Sequence, residues 1–198
     1  MHLSAGGRWI ACKRARTHPG REYRGNRHNL GFMLMDRLAV KLDARFTRLQ
    51  SRALVAVTNY NERKIILAKP QTFMNLSGQS VQGLVHFYKI PLNNLLVAHD
   101  DLDLPRGTIR IRPDGGSAGQ KGMESILVRF GTDEFPRLRM GIGRPPGRMA
   151  GPDYVLQDFS DDEMSVISET LERATEAVLC FVSEGLDMAM NKYNGAIS

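Results

Sequence analysis

The sequence predicts an α/β fold, with one domain built on a mixed, mostly parallel, twisted central sheet and helices on its faces. Two observations lead to this prediction. Short β-rich runs alternate along the chain with segments whose apolar residues recur every three or four positions. The chain has 198 residues, of which 42% are hydrophobic, and this suits one domain with its own core.

The first half of the chain supplies two helices and a hairpin. Leucines at four-residue intervals predict a helix over residues 29–42: Leu30, Leu34, Leu38 and Leu42. Two β-rich runs, 53–59 and 64–68, flank a polar turn and predict a hairpin. A second helix has its apolar face at Val81, Leu84, Val85 and Tyr88, and it ends before Pro91.

The second half continues the alternation. Residues 95–98 form an apolar run typical of a buried strand, whereas 108–112 alternates apolar with basic residues as an exposed strand does. A glycine-rich loop at 115–122 leads into a helix that runs through Phe130, and 138–142 is a further strand. A capping box, Ser160 with Glu163, then opens a long helix. Its apolar stripe comprises Ile167, Leu171, Ala174, Val178 and Phe181.

Composition excludes several classes of protein. No stretch approaches the roughly 18 consecutive apolar residues of a membrane helix. Cys12 and Cys180 are the only cysteines and lack metal-ligand spacing, so neither a disulfide scaffold nor a zinc site is supported. The sequence also shows no secretory signal, and we therefore expect a cytoplasmic protein.

Charge is segregated along the chain, whose formal net charge is +6. Residues 1–27 hold seven basic and one acidic residue, 28–150 hold eighteen and ten, and 151–198 hold two and ten. A basic body with an acidic C-terminal stretch suits an anionic partner, of which nucleic acid is the commonest. The alternative is a solvated surface of mixed charge.

His28 and Asp100 are the candidate catalytic residues. His28 lies between Arg27 and Asn29 at a loop-to-helix junction, where an imidazole oriented by a carboxylate can accept a proton from water. Asp100 follows the strand 95–98, and side chains past the carboxyl end of a strand face the crevice where α/β proteins place ligands. The alternatives are a polar residue at a helix start and a carboxylate that caps a turn.

Three further features suit binding. Asn75 lies between a strand and a helix, where its amide can stabilise negative charge or only cap the helix. The loop 115–122 lets backbone N–H groups approach an anion, although it lacks the Gly-Lys-Ser/Thr of a Walker loop. Arginines at two-residue spacing match phosphate geometry or only add solubility. They are Arg110 and Arg112 on one strand, and Arg137 and Arg139 on another.

Five groups of residues, in order along the chain, together carry a resemblance to a known family. They are His-Pro-Gly-Arg-Glu-Tyr at 18–23 with Arg-His-Asn at 27–29, Lys-Pro-Gln-Thr-Phe-Met-Asn-Leu-Ser-Gly at 69–78, Val-Ala-His-Asp-Asp-Leu-Asp-Leu-Pro at 97–105, Gly-Gly-Ser-Ala-Gly at 115–119 and Phe-Pro-Arg-Leu-Arg-Met-Gly-Ile-Gly at 135–143. Each string alone is weak, but the combination is highly specific. From residue 18 onward the chain resembles the bacterial peptidyl-tRNA hydrolases.

The resemblance implies a monomeric α/β enzyme that acts without a metal or another cofactor, and the lack of a long apolar stretch already argues against a membrane-spanning protein. Such an enzyme hydrolyses the ester between a peptide and the 3′ end of tRNA and recycles tRNA from aborted translation. By motif, His28 resembles the general base, and Asp100 the carboxylate that holds its ring. A group that holds the tRNA end and the peptide is matched by Tyr23, Phe73 and Asn75. The positions that grip the tRNA 5′ phosphate are matched by Arg112 and Arg139.

Two positions depart from the family's pattern. His18 replaces the asparagine of a Gly-Asn-Pro-Gly string that senses the blocked peptide nitrogen, so we expect weaker discrimination against aminoacyl-tRNA. Lys121, preceded by Gln120, replaces the usual asparagine of the glycine-rich loop. We expect its cation to bind an oxyanion or a phosphate.

The start of the chain departs further. The family begins with an apolar strand, whereas residues 10–16 read Ile-Ala-Cys-Lys-Arg-Ala-Arg, a poor candidate for a buried central strand. We therefore predict an anomalous segment over 1–17, disordered or altered by a frameshift, a misplaced start or decay, and a peptidyl-tRNA hydrolase-like domain over 18–198. Two other functions stay open: an RNA-binding, splicing-factor-like protein of this fold without hydrolysis, and a phosphate-binding protein that uses only the glycine-rich loop.

Overall fold

The computed structural model describes the backbone of residues 8–12 and the whole of residues 25–197. Among these residues, eight strands form one sheet. The strands are β1 (Arg8–Cys12), β2 (Arg48–Gln50), β3 (Ala53–Tyr60), β4 (Arg63–Pro70), β5 (Leu95–Asp101), β6 (Thr108–Arg112), β7 (Arg137–Gly141) and β8 (Gly195–Ala196). Their order across the sheet is β2-β3-β4-β1-β5-β7-β6-β8.

The sheet is mixed, as predicted, but the prediction that it is mostly parallel is wrong. β1 pairs in parallel with β4 and β5, and β5 pairs in parallel with β7. The other pairs are antiparallel: β2 with β3, β3 with β4, and β6 with both β7 and β8. The predicted hairpin is confirmed as β3 and β4, and a short turn of this kind can only join antiparallel strands. Alternation of strand and helix along a chain does not reveal strand direction.

The N-terminal strand corrects a second expectation. Arg8–Cys12 lies between β4 and β5, with Ile10 level with Leu67 on one side and Leu96 on the other. The expectation of a poor central strand rested on residues 10–16, a window that includes a basic run outside the described residues. The strand itself begins earlier and reads Arg-Trp-Ile-Ala-Cys. The wider prediction of an anomalous segment over residues 1–17 is not tested by these five residues.

Helices cover both faces of the sheet. In the described part of the chain they are α1 (Leu30–Lys41), α2 (Ser77–Tyr88), α3 (Lys121–Phe130), α4 (Gly151–Val155), α5 (Asp161–Ser183) and α6 (Leu186–Tyr193). The four predicted helices are confirmed as α1, α2, α3 and α5. The predicted capping box is present, because the Ser160 hydroxyl accepts from the Glu163 N–H at 3.3 Å and the Glu163 carboxylate accepts from the Ser160 N–H at 2.8 Å.

The core is divided between the two faces. α1, α5 and α6 cover the larger cluster, in which the predicted α5 stripe from Ile167 to Phe181 is buried. α2 and α3 cover a smaller cluster on the other face. A Cβ at Gly78 would overlap the Ser125 carbonyl, so a glycine is needed for α2 to lie this close to α3.

Four short elements were not predicted. β2 and β8 have three and two residues, too few to show the alternation of a strand, and α4 has five residues. α6 has eight residues and packs against α5 and β6. α4 matters for function because it forms one wall of a cleft at the carboxyl edge of the parallel strands.

Candidate active site

His28 is fixed by the turn that contains it. It lies in a short 3₁₀ turn, Arg27–Asn29, which leads directly into α1. The side-chain oxygen of Asn26 accepts a hydrogen bond from the Asn29 N–H at 3.0 Å and caps this turn. His28 is only 4% exposed, so its imidazole is held inside the protein rather than on a mobile surface.

Arg27 ties this turn to the segment after α4. Its guanidinium donates to the carbonyl oxygens of Gln157 and Asp158 at 3.1 and 2.8 Å, and to the Glu163 carboxylate at 2.7 Å. It also lies 4.2 Å from the centre of the Tyr154 ring. Arg27 therefore fixes the position of α4, which forms one wall of the cleft, relative to the turn that carries His28.

His28 and Asp100 form a buried pair. Nδ1 of His28 lies 2.9 Å from Oδ1 and 3.0 Å from Oδ2 of Asp100, which is the next-to-last residue of β5. Burial alone would raise the pKa of the Asp100 carboxyl, but the charge and the hydrogen bond of His28 outweigh it and hold that pKa below its ordinary value. The carboxylate is therefore ionised, and His28 donates its Nδ1–H to it.

The second ring nitrogen of His28 faces Met74. Because Nδ1 carries the proton, Nε2 is the basic atom of the neutral ring. Nε2 lies 2.8 Å from Sδ of Met74, which stands on a 3₁₀ turn, Met74–Leu76, between β4 and α2. The flexible thioether thus covers the atom that would accept a proton.

A cleft opens beside this pair, with a volume of about 260 Å³. Its polar lining is His28, Asp100, Asp101, Gln120 and Lys121, and the remaining lining is Met74, Leu102, Ala118, Gly119, Gly151, Pro152, Val155 and Leu156. The pair therefore lies at the edge of a largely apolar cleft, an arrangement typical of small-molecule and active sites.

The glycine-rich loop reaches the pair through Gln120. The Gln120 side chain caps α3 by accepting from the Met123 N–H at 2.8 Å, and its amide donates to Oδ1 of Asp100 at 3.2 Å. Further back, the guanidinium of buried Arg137 donates to the carbonyl oxygens of Gly115 and Gly116. Both ends of the loop are therefore fixed by side-chain hydrogen bonds.

Three predicted binding residues lie at or beside the cleft. Lys121 is exposed at the first position of α3 and lines the cleft. Phe73 and Asn75 flank Met74 in sequence and are exposed, but they are not among the lining residues. The Asn75 carbonyl accepts from the Ser125 hydroxyl at 2.8 Å, so this turn is tied to α3.

The arginines of β6 and β7 occupy one face of the sheet. Arg110 is level with Arg139, and Arg112 is level with Arg137. Arg139 forms an ion pair with the carboxylate of Asp101, whose side chain is 1% exposed. Arg112 is exposed near the sheet edge. Arg112 and Arg139 thus lie on adjacent strands, but only Arg139 contacts a residue of the cleft.

Two predicted site residues, His18 and Tyr23, lie outside the described residues. Two residues that contact the side chains of His28 and Asp100 were given no role from sequence: Met74 and Gln120. Met74 stands between two predicted residues, Phe73 and Asn75, and this was the available signal. Nothing local marks Gln120, because its contact with Asp100 spans 20 positions.

Fold and site together define an α/β enzyme with a histidine–carboxylate pair arranged for general acid–base chemistry. Within the described residues, no group of three or more His, Cys, Asp or Glu could hold a metal ion. Among the same residues, no helix is long and apolar enough to cross a membrane.

Comparison with known proteins gives the family. A family model described as peptidyl-tRNA hydrolase matches residues 17–198. The peptidyl-tRNA hydrolase of Caldanaerobacter subterraneus is 48% identical over 179 residues, covering 90% of this chain and 96% of that protein. That of Chloroflexus aurantiacus is 47% identical over 178 residues, with coverages of 89% and 95%. The chain belongs to the peptidyl-tRNA hydrolase family.

A solved structure supports the same assignment. The crystal structure of peptidyl-tRNA hydrolase from Acinetobacter baumannii has a TM-score of 0.88 to this chain and is 31% identical. The match covers 99% of this chain and 98% of that one. The similarity therefore extends over the whole fold.

Proposed function

We propose that this chain hydrolyses the ester between peptide and tRNA in peptidyl-tRNA and so recycles tRNA, with His28 as general base and Asp100 as the carboxylate that orients it. One observation carries the assignment of roles: Nδ1 of His28 lies 2.9 Å from buried Asp100 at the edge of the cleft. The substrate class follows from the family.

The reaction begins when a water replaces the Met74 thioether beside Nε2. His28 takes one proton from this water while the oxygen attacks the carbonyl carbon of the ester. Asp100 stabilises the imidazolium that results. The tetrahedral intermediate then expels the ribose oxygen of the tRNA end, which receives the proton from His28. A base positioned in this way contributes about 10² to 10⁴ in rate.

Groups around the cleft would stabilise and hold the substrate. Lys121 places a cation at the N-terminus of α3, where negative charge is also favoured by the helix dipole. It would bind the developing oxyanion or a phosphate. Asn75 and Phe73 would hold the tRNA end and the peptide, and one amide donor to an oxyanion is worth about 10² to 10³ in rate.

The tRNA body would bind across the arginine strands. Arg112 is exposed and level with Val97 through β7, three residues before Asp100 along β5. At about 3.3 Å per residue this is roughly 10 Å along the strand, and β6 lies two strand spacings, roughly 10 Å, from β5, so the backbones of Arg112 and Asp100 are about 14 Å apart. We assign the 5′ phosphate to Arg112 and Arg139, the latter exchanging part of its contact with Asp101.

Further assignments follow the family. Tyr23 would help to hold the substrate, and His18 would replace the residue that senses the blocked peptide nitrogen. The enzyme would act as a cytoplasmic monomer without a metal. An RNA-binding protein without hydrolysis is not favoured, because the relatives that cover about 90% of the chain are named peptidyl-tRNA hydrolases.

The test is hydrolysis of N-acetylated aminoacyl-tRNA by the purified protein in excess chelator, followed by release of the blocked amino acid. We expect multiple turnovers. The rate with unblocked aminoacyl-tRNA, compared with the rate with the N-acetylated substrate, measures the discrimination assigned to His18. Tight tRNA binding without turnover would contradict the proposal and support the RNA-binding alternative.

A further inference from the structure

We infer that Gln120 is a positioning residue for the catalytic pair, whose amide holds the Asp100 carboxylate and shares its negative charge. The inference rests on the proposed function of His28 and Asp100. Its basis is that the Gln120 side chain bridges two elements. Nε2 of Gln120 donates to Oδ1 of Asp100 at 3.2 Å, and Oε1 of Gln120 accepts from the Met123 N–H at 2.8 Å. Because the helix N–H requires an acceptor, the amide must turn its NH₂ group toward Asp100.

The first consequence concerns geometry. Oδ1 of Asp100 receives two donors, Nδ1 of His28 at 2.9 Å and Nε2 of Gln120 at 3.2 Å. A carboxylate held by a single partner keeps freedom to rotate about its last torsion. The second donor comes from the start of α3, an element separate from those that carry His28 and Asp100, so it fixes the plane of the carboxylate.

The second consequence concerns the proton on His28. The carboxylate that orients the neutral ring also stabilises the imidazolium formed during the reaction. A second donor takes up part of that negative charge, and the hydrogen bond from Gln120 is among the causes that lower the pKa of Asp100. With Gln120 present, Asp100 holds the imidazolium less strongly, and His28 returns its proton to the leaving ribose oxygen more readily.

Other titratable groups lie near the pair, and two of them have contacts that do not involve Gln120. His99 donates Nδ1–H to the Asp100 carbonyl at 2.8 Å, and burial lowers the pKa of its imidazole. Asp101 is paired with Arg139, and Lys121 lies on the cleft. A substitution at Gln120 leaves the contacts of His99 and Asp101 in place, and one that keeps the helix cap also leaves the start of α3 at Lys121 intact, so a change in pH dependence shared by both kinds of variant would report on the Gln120–Asp100 contact.

Two substitutions separate the roles of the Gln120 amide. Gln120→Met removes both the donor and the helix cap at similar length. Gln120→Glu keeps an acceptor for the Met123 N–H but sets a second carboxylate against Asp100. The matched control is Gln82→Met, which removes another glutamine whose amide donates to the Arg129 carbonyl at 2.9 Å, away from the cleft.

We expect Gln120→Met to lower kcat about tenfold, as for loss of a hydrogen bond to a charged group, with KM within about twofold. The acid limb of the kcat/KM profile should move to higher pH, because an unshared carboxylate holds the imidazolium more strongly. Gln120→Glu should move it further, and Gln82→Met should leave it unchanged. An acid limb at the wild-type pH in both Gln120 variants, or an effect on KM alone, would overturn the inference.

A double-mutant cycle gives an independent test. If Gln120 acts through Asp100, Gln120→Met should cost little further in kcat once Asp100→Asn is present. An equal cost in both backgrounds would show that Gln120 acts by another route. The wild-type chain must first turn over N-acetylated aminoacyl-tRNA, and failure at that step would contradict the proposed function instead.

Discussion

The buried His28–Asp100 pair and the arginines of β6 and β7 both place charge on the same sheet, but they differ in what surrounds the charge. The pair is buried, and Nδ1 of His28 lies within 3.0 Å of both carboxylate oxygens of Asp100. Arg112, in contrast, is exposed to solvent. A buried pair is held in one geometry before substrate arrives, whereas an exposed arginine contributes through an attraction that salt screens.

Arg139 lies between these extremes. Its side chain is 23% exposed, but its partner Asp101 has a side chain that is only 1% exposed. The Arg139–Asp101 ion pair therefore stabilises the fold, whether or not Arg139 also binds a ligand. Position on an arginine-bearing strand does not by itself assign an arginine to binding.

The largest effect should come from the buried pair. We expect His28→Ala to lower kcat by about 10² to 10⁴, because the water loses its base. The control is His86→Ala, at an exposed histidine of α2. Steady-state hydrolysis of N-acetylated aminoacyl-tRNA gives kcat for both variants. Full activity of His28→Ala would remove the proposed mechanism.

Arg139→Ala should have the next largest effect, on stability. It leaves the buried Asp101 carboxylate without its ion-pair partner, and removal of one member of a buried pair costs about 3 kcal/mol or more. Urea unfolding at pH 7 measures the loss. Adding Asp101→Asn should restore part of it, since the unpaired charge is then absent. If Arg139→Ala is as stable as wild type, the ion pair does not support the fold.

The sequence predicted both members of the pair, and the resemblance implied that Asp100 holds the His28 ring, but no local pattern showed their contact. His28 and Asp100 are 72 positions apart, and they meet because the turn Arg27–Asn29 packs against β5 in the folded chain. Strong local signals, such as the α5 capping box and the leucines of α1, predicted helices that the structure confirms. Outside the β3–β4 hairpin, strand direction left no such local signal, and for that reason the prediction of a mostly parallel sheet is wrong.

The N-terminal strand shows a different limit of sequence reading. Its five residues are apolar at the centre, but the basic run that follows dominates a window that extends to residue 16. Strand boundaries depend on pairing partners, here β4 and β5, and these are not visible locally. Gln120 is similar, because its role depends on a contact that forms only after folding.

Arg112→Ala should have a smaller effect that depends on salt. We expect tRNA binding to weaken about tenfold at low salt, and the slope of log Kd against log salt to fall by just under one for one lost phosphate contact. The matched control is Arg63→Ala, at an exposed arginine at the start of β4. Filter binding at several salt concentrations gives both slopes. An unchanged slope for Arg112→Ala would remove this residue from the phosphate site.

The smallest effect should be the acid dependence of stability that Asp100 confers. The pKa of Asp100 is held below its ordinary value of 3.8, so the charged carboxylate stabilises the folded state fully above that pH. As the pH falls through the lower pKa of the folded state, protonation removes this contribution. Wild type should therefore exceed Asp100→Asn in unfolding free energy by about 1 kcal/mol at pH 7, the net scale of one intramolecular hydrogen bond.

The difference in unfolding free energy between wild type and Asp100→Asn should narrow below pH 4, because the protonated carboxyl and the amide are then both neutral. Urea unfolding at pH 7, 5, 4 and 3 measures it, with Asp114→Asn as the control at an exposed aspartate. A difference that persists unchanged at the lowest pH would mean that shape and packing, rather than charge, make Asp100 stabilising. Because Arg112 is exposed, Arg112→Ala should show no such acid dependence, and the contrast between the buried pair and the arginine strands would then hold for stability as well as for rate.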